Sequence, residues 1–375
     1  MTTVEIGLPS AEPTIDELLK VASRTGASDL HLSCGKHPKT RIDGDLVDMP
    51  QTSLISPDWM IRSMKAIMTE KQRAEYARNM ELDFSHGVSG YGRFRVNFYV
   101  QTGTPAAVFR GIPDKIKTID ELGLPQTFSD ITNRPNGLVL VTGPTGSGKS
   151  TTLAAMIEER NRKFAEHIIT VEDPVEFIYE SKTALVNQRE VGSDTASFHE
   201  ALRRVLRQDP DVILIGELRD AETISIALTA AETGHLVFGT LHTQSAAKSI
   251  NRIIDSFSPT QQGQIRSQLS ETLQAIISQT LLKRVDGGRV AATEVLVRNT
   301  AIANQIREGK TSGIEDAIQV GKEEGMHTLD QDLERLLEAK IIDRETMFEH
   351  LSAAKKKKLA DQAKQMHMQT PARRY

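Results

Sequence analysis

The sequence predicts an α/β protein with a mixed N-terminal domain and a C-terminal domain built on a mainly parallel sheet. In the first hundred residues, segments of alternating polarity are joined by short turn signals, which is typical of antiparallel strands. After residue 136, apolar runs at 138–142, 167–171, 212–215 and 236–241 alternate with helical stretches. That second pattern is typical of a parallel sheet covered by helices.

The N-terminal part reads as helices and hairpins in turn. Residues 14–25 predict a helix, with Thr14 as N-cap and Glu17 at the capping-box distance. "SDLHLS" predicts a strand, and "KTRIDGDLVDM" predicts a hairpin that turns at Asp43-Gly44. Residues 57–80 predict a second helical stretch, and "YGRFRVNFYVQTGTPAAVFRGI" predicts two strands around a Gly-Thr-Pro turn.

A cluster of prolines separates the two patterns. The segment from Pro113 to Pro135 predicts a linker that contains a short helical piece. The tail after residue 300 is charged and predicts helices. The expected division is therefore 1–112 for the N-terminal domain, 113–135 for the linker and 136–375 for the C-terminal domain with its helical tail.

Composition places the chain among ordinary globular proteins. Of its 375 residues, 38% are hydrophobic and 26% charged, and the net charge is −4 with a pI near 6.2. Such a balance gives no overall basic field, so a stable nucleic-acid partner is not expected. The single cysteine, Cys34, excludes an internal disulfide and any four-cysteine zinc site.

The chain carries no evident targeting or membrane-spanning segment. "MTTVEIGLPSAEP" has neither a basic start nor an apolar core, so we do not expect a signal peptide. No uncharged apolar stretch approaches the length that crosses a bilayer. We therefore expect a cytoplasmic protein whose membrane contact is peripheral only.

"LVLVTGPTGSGKSTTLAAM" contains the pattern G-x-x-x-x-G-K-[ST] between a predicted strand and a predicted helix. In such a loop, backbone N–H groups and the start of the helix bind phosphate oxygens. Lys149 would reach the β- and γ-phosphates of a nucleotide, and the Ser150 hydroxyl would bind Mg²⁺. The predicted nucleotide-binding residues are Gly143, Pro144, Thr145, Gly146, Ser147, Gly148, Lys149, Ser150 and Thr151.

Phosphoryl transfer also needs an acid near the metal and a group that orients water. In "DVILIGE" a buried-looking strand ends at Gly216-Glu217, and Glu217 is the only acid left to hold the water shell of the metal or the attacking water. "TVEDPVEF" offers a second acidic set on a loop, comprising Glu172, Asp173 and Glu176. Because this segment would lie beside a phosphate loop, we favour a catalytic role for these acids over a solvent-exposed loop without function.

For two further sets of residues, the sequence alone gives weaker support for a catalytic role. His235 and His242 flank a strand-like run. They could sense the γ-phosphate or make structural hydrogen bonds, and the residues alone slightly favour the structural role. Arg93, Arg95 and Arg110 lie on the last two predicted strands of the N-terminal part. An arginine delivered to a γ-phosphate raises turnover greatly, although most strand arginines are only exposed charges.

Together these motifs resemble the pilus retraction ATPases of the type II/IV secretion ATPase superfamily. The segments that carry the resemblance are "GASDLHLS", "GRFRVNFYVQ…AVFR", "GPTGSGKSTTLAAM", "TVEDPVEF", "LVNQREVG", "LRQDPDVILIGELRD" and "ALTAAETGHLVFGTLHTQSAAKSINRIID". The resemblance runs from about Thr14 to about Thr346. It implies a PAS-like N-terminal domain, a RecA-like P-loop ATPase domain, and a ring of six chains.

The resemblance also assigns roles to individual residues. Glu176 matches the catalytic glutamate, and Glu217 matches the Walker B glutamate that holds Mg²⁺ through water, with Ser150 as the other metal-side ligand. His235 and His242 match the two histidines of the family's His box. Arg95 and Arg110 match arginines that the N-terminal domain points at the nucleotide.

The implied function is a homo-hexamer that uses ATP and Mg²⁺ to retract type IV pili and so drives twitching motility. Its implied partner is an inner-membrane pilus platform protein, with the ring at the inner face of the cytoplasmic membrane. One motif departs, because the family's "AIRNLIRE" reads "AIANQIRE" at 301–308. That change keeps open an accessory retraction ATPase, whereas the single cysteine argues against an assembly or type II secretion ATPase with a four-cysteine zinc insertion.

Overall fold

The computed structural model describes residues 12–42, 45–112, 115–357 and 361. They divide into two compact units, one holding the described residues up to Lys115 together with Pro174–Ile178, the other holding the remainder. The predicted turn at Asp43-Gly44 and the first linker residue, Pro113, lie outside the described residues. No described helix is long and apolar enough to cross a bilayer.

The first unit is a six-stranded antiparallel sheet with three helices. Its elements are α1 Ile15–Arg24, β1 Asp29–Ser33, β2 Lys39–Ile42, β3 Asp45–Asp48, α2 Pro57–Ile67, α3 Glu70–Asn79, β4 Glu81–Val88, β5 Gly92–Gln101 and β6 Thr104–Ile112. The strand order is β3-β2-β1-β6-β5-β4. The predicted capping box at the start of α1 is present, with reciprocal bonds between Thr14 and Glu17.

Two local predictions in this unit were wrong in detail. The single helical stretch expected over 57–80 is two helices, because Thr69 forms its own capping box with Gln72 and starts α3. The turn between β5 and β6 is Thr102-Gly103, both with positive φ, and not Gly-Thr-Pro. Pro105 lies within β6, opposite Val100.

One face of this sheet forms the core of the unit. Leu30 and Leu32 of β1 are buried with Phe98 and Phe109 and with the apolar side of α1. Phe98 and Phe109 meet edge to face with ring centroids 5.9 Å apart. Because side chains alternate along a strand, Asp29 and His31 of β1 belong to the opposite face of the sheet.

The second unit carries a seven-stranded sheet and most of the helices. Its elements as far as the sheet's last strand are α4 Thr127–Thr132, β7 Gly137–Thr142, α5 Lys149–Lys163, β8 His167–Glu172, β9 Leu185–Glu190, α6 Phe198–Val205, β10 Val212–Ile215, α7 Ala221–Glu232, β11 Leu236–Leu241, α8 Ala246–Asp255, α9 Pro259–Thr272, β12 Leu273–Lys283 and β13 Arg289–Val297. The described tail contains α10 Thr300–Glu308, α11 Ile314–Val320, α12 Leu329–Glu338 and α13 Arg344–His350, with short 3₁₀ turns at Thr311–Gly313 and Lys322–Glu324.

The strand order in the second sheet is β13-β12-β7-β11-β10-β8-β9. Every neighbouring pair is parallel except β12 with β13. The strands β7, β10 and β11 are buried along their whole length, which explains their continuous apolar sequences. The predicted fold class, with an antiparallel sheet first and a mainly parallel sheet after it, is confirmed.

Candidate nucleotide site

The phosphate loop connects β7 to α5 at the carboxyl edge of the parallel sheet. Gly143, Gly146 and Gly148 have φ values of 141°, 79° and 88°, a region that side chains with a Cβ rarely adopt. Ser147 is buried beneath the loop, whereas Pro144 and Thr145 are exposed at its tip. The glycine spacing therefore gives this loop its conformation.

Two of these glycines also pack against the neighbouring strand β12. A Cβ on Gly143 would lie 2.3 Å from the backbone oxygen of Gln279 and 2.6 Å from Ser147 Oγ. A Cβ on Gly148 would lie 3.0 Å from Gln279 Nε2, whereas one on Gly146 would meet nothing within 4 Å. The close packing of β12 against the loop therefore requires glycine at 143 and 148, independently of any bound ligand.

The start of α5 is suited to an anion. Its N-cap is Gly148, which has no side chain to accept a hydrogen bond from the first N–H groups of the helix. Ser150 and Thr151 lie in the first turn and are half-buried. Lys149 Nζ donates to the carbonyl oxygens of Gly143 at 2.8 Å and Pro144 at 3.0 Å, which holds its charge over the loop. This arrangement can bind the phosphates of a nucleotide.

Glu217 follows β10 at the same edge of the sheet. Its carboxylate accepts from Arg219 Nη2 at 2.8 Å and lies 3.2 Å from His242 Nε2. Partial burial by itself would raise the pKa of Glu217, but Arg219 and His242 outweigh it and lower that pKa below its ordinary value. The side chain is therefore an ionised acceptor at neutral pH, as a ligand for metal-bound water requires.

Gly216 explains why this strand ends in Gly-Glu. A Cβ at position 216 would lie 3.2 Å from Glu172 Cα and 3.3 Å from the carbonyl oxygen of Val171, both in the backbone of β8. The carbonyl of Gly216 also accepts from Thr240 Oγ1 at 2.5 Å. The aspartate that many nucleotide hydrolases have here would not fit without movement of β8, so Glu217 is the acid that this strand supplies.

The two predicted histidines are at opposite ends of β11. His242 follows the strand at the carboxyl edge, beside Glu217. His235 precedes it, where its Nδ1 lies 2.9 Å from the carbonyl oxygen of Ala230 at the end of α7. The two histidines are seven positions apart along an extended strand, or roughly 23 Å, so one chain does not bring His235 to the phosphate loop.

The three acidic residues at the end of β8 and after it lie in different surroundings. Glu172 ends the strand and is buried, where its Oε1 accepts from Thr170 Oγ1 at 2.6 Å and Gln188 Nε2 at 3.3 Å. Asp173 lies 3.9 Å from Arg219 and so joins the Glu217 cluster. Glu176 is exposed and belongs to Pro174–Ile178, the segment that groups with the first unit.

Arg95 and Arg110 lie directly opposite each other on β5 and β6. Arg110 donates from Nε to Asp29 Oδ1 at 2.8 Å, and Arg41 approaches the same buried carboxylate at 4.0 Å. Burial alone would raise the pKa of Asp29, but the hydrogen bonds from Ser28 and Arg110 outweigh it and lower the pKa. Arg95 and Arg110 are both exposed, so this face of the sheet presents cationic groups that can reach an anion.

Sequence reasoning missed two residues at this edge. Arg219 pairs with Glu217 and Asp173, and its place two residues after Glu217 in "GELRD" was a signal. Gln279 reaches the phosphate loop from β12, and nothing in the apolar run "LQAIISQTLLK" indicated it.

The donor set at the loop fits Mg²⁺ held partly through water. Within the described residues, no group of three or more His, Cys, Asp or Glu side chains could hold a metal ion by itself. Mg²⁺ on a nucleotide normally keeps several waters and takes few protein ligands besides the phosphates. The Ser150 hydroxyl and the ionised Glu217 carboxylate are groups of that kind.

Comparison with known proteins gives a consistent result. The family described as type II/IV secretion system protein matches residues 6–371. The chain is 53% identical to the type IV pilus retraction ATPase PilT of Pseudomonas aeruginosa over 333 residues, which is 88% of this chain and 96% of that protein. It is 40% identical to the type IV pilus ATPase PilU of the same organism over 340 residues, which is 90% of this chain and 89% of that one.

A solved structure agrees with these sequence matches. The crystal structure of the pilus retraction motor PilT with bound ADP is 47% identical, with a TM-score of 0.86. The alignment covers 91% of this chain and 98% of that chain. The fold that surrounds the phosphate loop is therefore one that binds a nucleotide in a related protein.

Proposed function

The chain belongs to the type II/IV secretion system protein family, and we propose that it is an ATP-hydrolysing motor that retracts type IV pili. The observation that carries this proposal is the phosphate loop with Glu217 at the same edge of the parallel sheet, in a chain that matches a retraction ATPase over nearly its whole length. The "GPTGSGKS" loop supplies nucleotide binding, and the ionised Glu217 supplies the acceptor that hydrolysis needs.

We propose specific roles for the residues at the loop. Backbone N–H groups of the loop and the start of α5 hold the phosphates, while Lys149 moves from its carbonyl partners to the β- and γ-phosphates. The Ser150 hydroxyl and, through water, the Glu217 carboxylate would hold Mg²⁺, which would supply positive charge to offset the charge that develops on the phosphates. His242 keeps Glu217 oriented, and Glu176 activates the attacking water.

We propose that Arg95 and Arg110 act on the nucleotide phosphates as cationic groups, and that His235 acts in the assembled ring. The exposure of both arginines supports the first part. The position of His235 at the far end of β11 favours a role toward another copy of the chain. The assembly would be a homo-hexamer at the cytoplasmic face of the membrane, in contact with a pilus platform protein.

Retraction of labelled pili in the source organism tests the function. A deletion strain should lose retraction, the native gene should restore it, and Glu217→Ala should not. Glu200→Ala is the matched control, because Glu200 is an acid on α6 whose ion pairs are with neighbouring residues of that helix. Retraction that persists in the deletion strain would refute a primary motor.

A second candidate is an accessory retraction ATPase, favoured by one observation. Ala303 and Gln305 replace the arginine and leucine of the "AIRNLIRE" motif in α10. The higher identity to PilT, 53% against 40% to PilU, favours the main motor. Retraction that persists in the deletion strain but loses force under load would assign the accessory role.

A further inference from the structure

The strand behind the phosphate loop is β12, which runs parallel to β7. Ser278 of β12 is opposite Thr142, the last residue of β7, and their hydroxyl oxygens are 2.8 Å apart. The next residue along β12 is Gln279, at the level where the loop begins. The strand β12 therefore lines this side of the loop, and Gln279 is a polar side chain on it.

Gln279 touches the loop at three places. Its Nε2 donates to the carbonyl oxygen of Ser147 at 2.6 Å. Its backbone oxygen lies 2.3 Å from the position that a Cβ on Gly143 would take, and its Nε2 lies 3.0 Å from the position that a Cβ on Gly148 would take. A single residue thus contacts the first glycine, the last glycine and the serine between them.

The contact is buried and incompletely satisfied. Gln279 is 4% exposed and Ser147 is 2% exposed. Gln279 Oε1 and Ser147 Oγ are buried without a hydrogen-bond partner among the described residues. Buried polar atoms without partners lower stability, so Gln279 Oε1 is unfavourable for the core at this position. The arrangement indicates that Gln279 serves the loop more than the core.

The backbone around Gln279 is held by the neighbouring strand β13. In the antiparallel pair of β12 with β13 it is opposite Thr293. The backbone N–H of Thr293 donates to Asp332 Oδ2 at 2.7 Å, and the Thr293 hydroxyl donates to the same oxygen at 3.1 Å. A side chain on a strand anchored in this way can hold the adjoining loop in one geometry.

We propose that Gln279 is a positioning residue for nucleotide binding, because it holds the Ser147 carbonyl toward β12. The C=O and N–H of a trans peptide point in opposite directions, so this bond directs the N–H of Gly148 away from β12 and into the loop. That N–H is one of the groups that bind phosphate in such a loop. The inference rests on the proposed ATPase function.

Nucleotide affinity of the purified full-length protein tests the proposal. Gln279→Leu should weaken binding of a fluorescent ATP analogue by about tenfold, the scale of one lost hydrogen bond in a buried site. The melting temperature should change little, because the variant removes the unpartnered Gln279 Oε1 and also removes the donor to the buried Ser147 carbonyl. Gln274→Leu is the matched control, since Gln274 is on the same strand about 17 Å from Gln279; it should bind like the native protein.

A second variant separates positioning from packing. In Gln279→Glu an ionised carboxylate cannot donate to Ser147 and repels phosphate, so binding at neutral pH should be weaker than in Gln279→Leu. Burial raises the pKa of a carboxyl group, and the protonated form can donate. Binding by Gln279→Glu should therefore recover as the pH falls toward 5, whereas Gln279→Leu should show no recovery.

Three results would overturn the proposal. The first is native-like affinity in both variants, and the second is the same affinity in both variants at every pH. The third is a fall in melting temperature that accompanies all loss of binding, which would make Gln279 a folding residue. Failure of the native protein itself to bind or hydrolyse ATP would instead refute the proposed function.

Discussion

The chemistry of Glu217 depends on Arg219 and His242, the two side chains that contact its carboxylate. Without Arg219, partial burial would govern and the pKa of Glu217 would rise. We expect Arg219→Ala to move the acid limb of the kcat–pH profile to higher pH, because Glu217 is then protonated over more of the acidic range. Steady-state ATPase assays between pH 5 and 8 measure that shift.

Arg204→Ala serves as the control for loss of a guanidinium. Arg204 pairs with Glu200 at 3.1 Å on α6 and has no contact with Glu217. The acid limb of the kcat–pH profile of Arg204→Ala should coincide with that of the native protein. An unshifted limb in Arg219→Ala would mean that Glu217 does not control the acid side of the profile.

At the scale of residues, sequence reasoning found what lies in local patterns. The phosphate loop and Glu217 are each encoded within a few consecutive residues, so their spacing was enough to identify them. Gln279 was missed because its contact with Ser147 spans 132 positions of sequence and depends on strand order. His235 and His242 flank β11 as their spacing in the sequence indicated, so His235 lies at the edge of the sheet away from the phosphate loop.

At the scale of elements, α10 carries the motif that departs from the retraction family. Ala303 is 3% exposed and packs inward, whereas Gln305 is half-buried on another face of the helix. Gln305 Oε1 is buried with no hydrogen-bond partner among the described residues. A Cβ on Gly313 would lie 3.0 Å from Gln305 Nε2, so the side chain is confined against the 3₁₀ turn that follows α10.

Restoring the family's leucine should stabilise this region. We expect Gln305→Leu to raise the free energy of unfolding by about 1 kcal/mol, because it removes a buried acceptor without a partner and adds apolar contact. Thermal unfolding of the native and variant proteins measures the difference. Asn304→Leu, at the exposed neighbouring position of α10, should leave the melting temperature nearly unchanged.

A lower melting temperature for Gln305→Leu would contradict this reading, since it would mean that the amide makes a stabilising contact. Retraction measured with the same variant then separates stability from partner contact. If α10 meets a partner through Gln305, retraction should change while ATP hydrolysis stays the same.

Most elements followed from periodicity, and the exceptions have physical causes. The division of 57–80 into α2 and α3 comes from the cap at Thr69, a local signal outweighed by the long helical pattern. The strand β4 is absent from the sequence prediction, although its exposed and buried residues alternate in "ELDFSHGV". The strands β12 and β13 and the turn between them at 284–288 are also absent from the sequence prediction, although "RVDGG" carries a turn signal.

At the scale of the whole molecule, the distribution of the predicted catalytic residues favours assembly. His242 and Glu217 are together at the carboxyl edge of the parallel sheet, whereas His235 is at the opposite edge. Within one copy, these two histidines cannot contact the same nucleotide. In a closed ring each subunit presents one edge to its neighbour, so residues from two copies can meet at every interface.

Mixed rings test whether the subunits depend on one another. Native chain and Glu217→Ala chain, co-expressed with different tags at a series of ratios, should give ATPase activity that falls faster than the fraction of native chain. The reason is that each inactive subunit would also stall the neighbours whose sites it completes. Mixing with Glu200→Ala in place of Glu217→Ala should leave activity constant, and sedimentation should show one ring size in both series. A decrease in strict proportion to the native fraction would mean that each chain hydrolyses ATP alone, which would remove the reason for His235 to act across an interface.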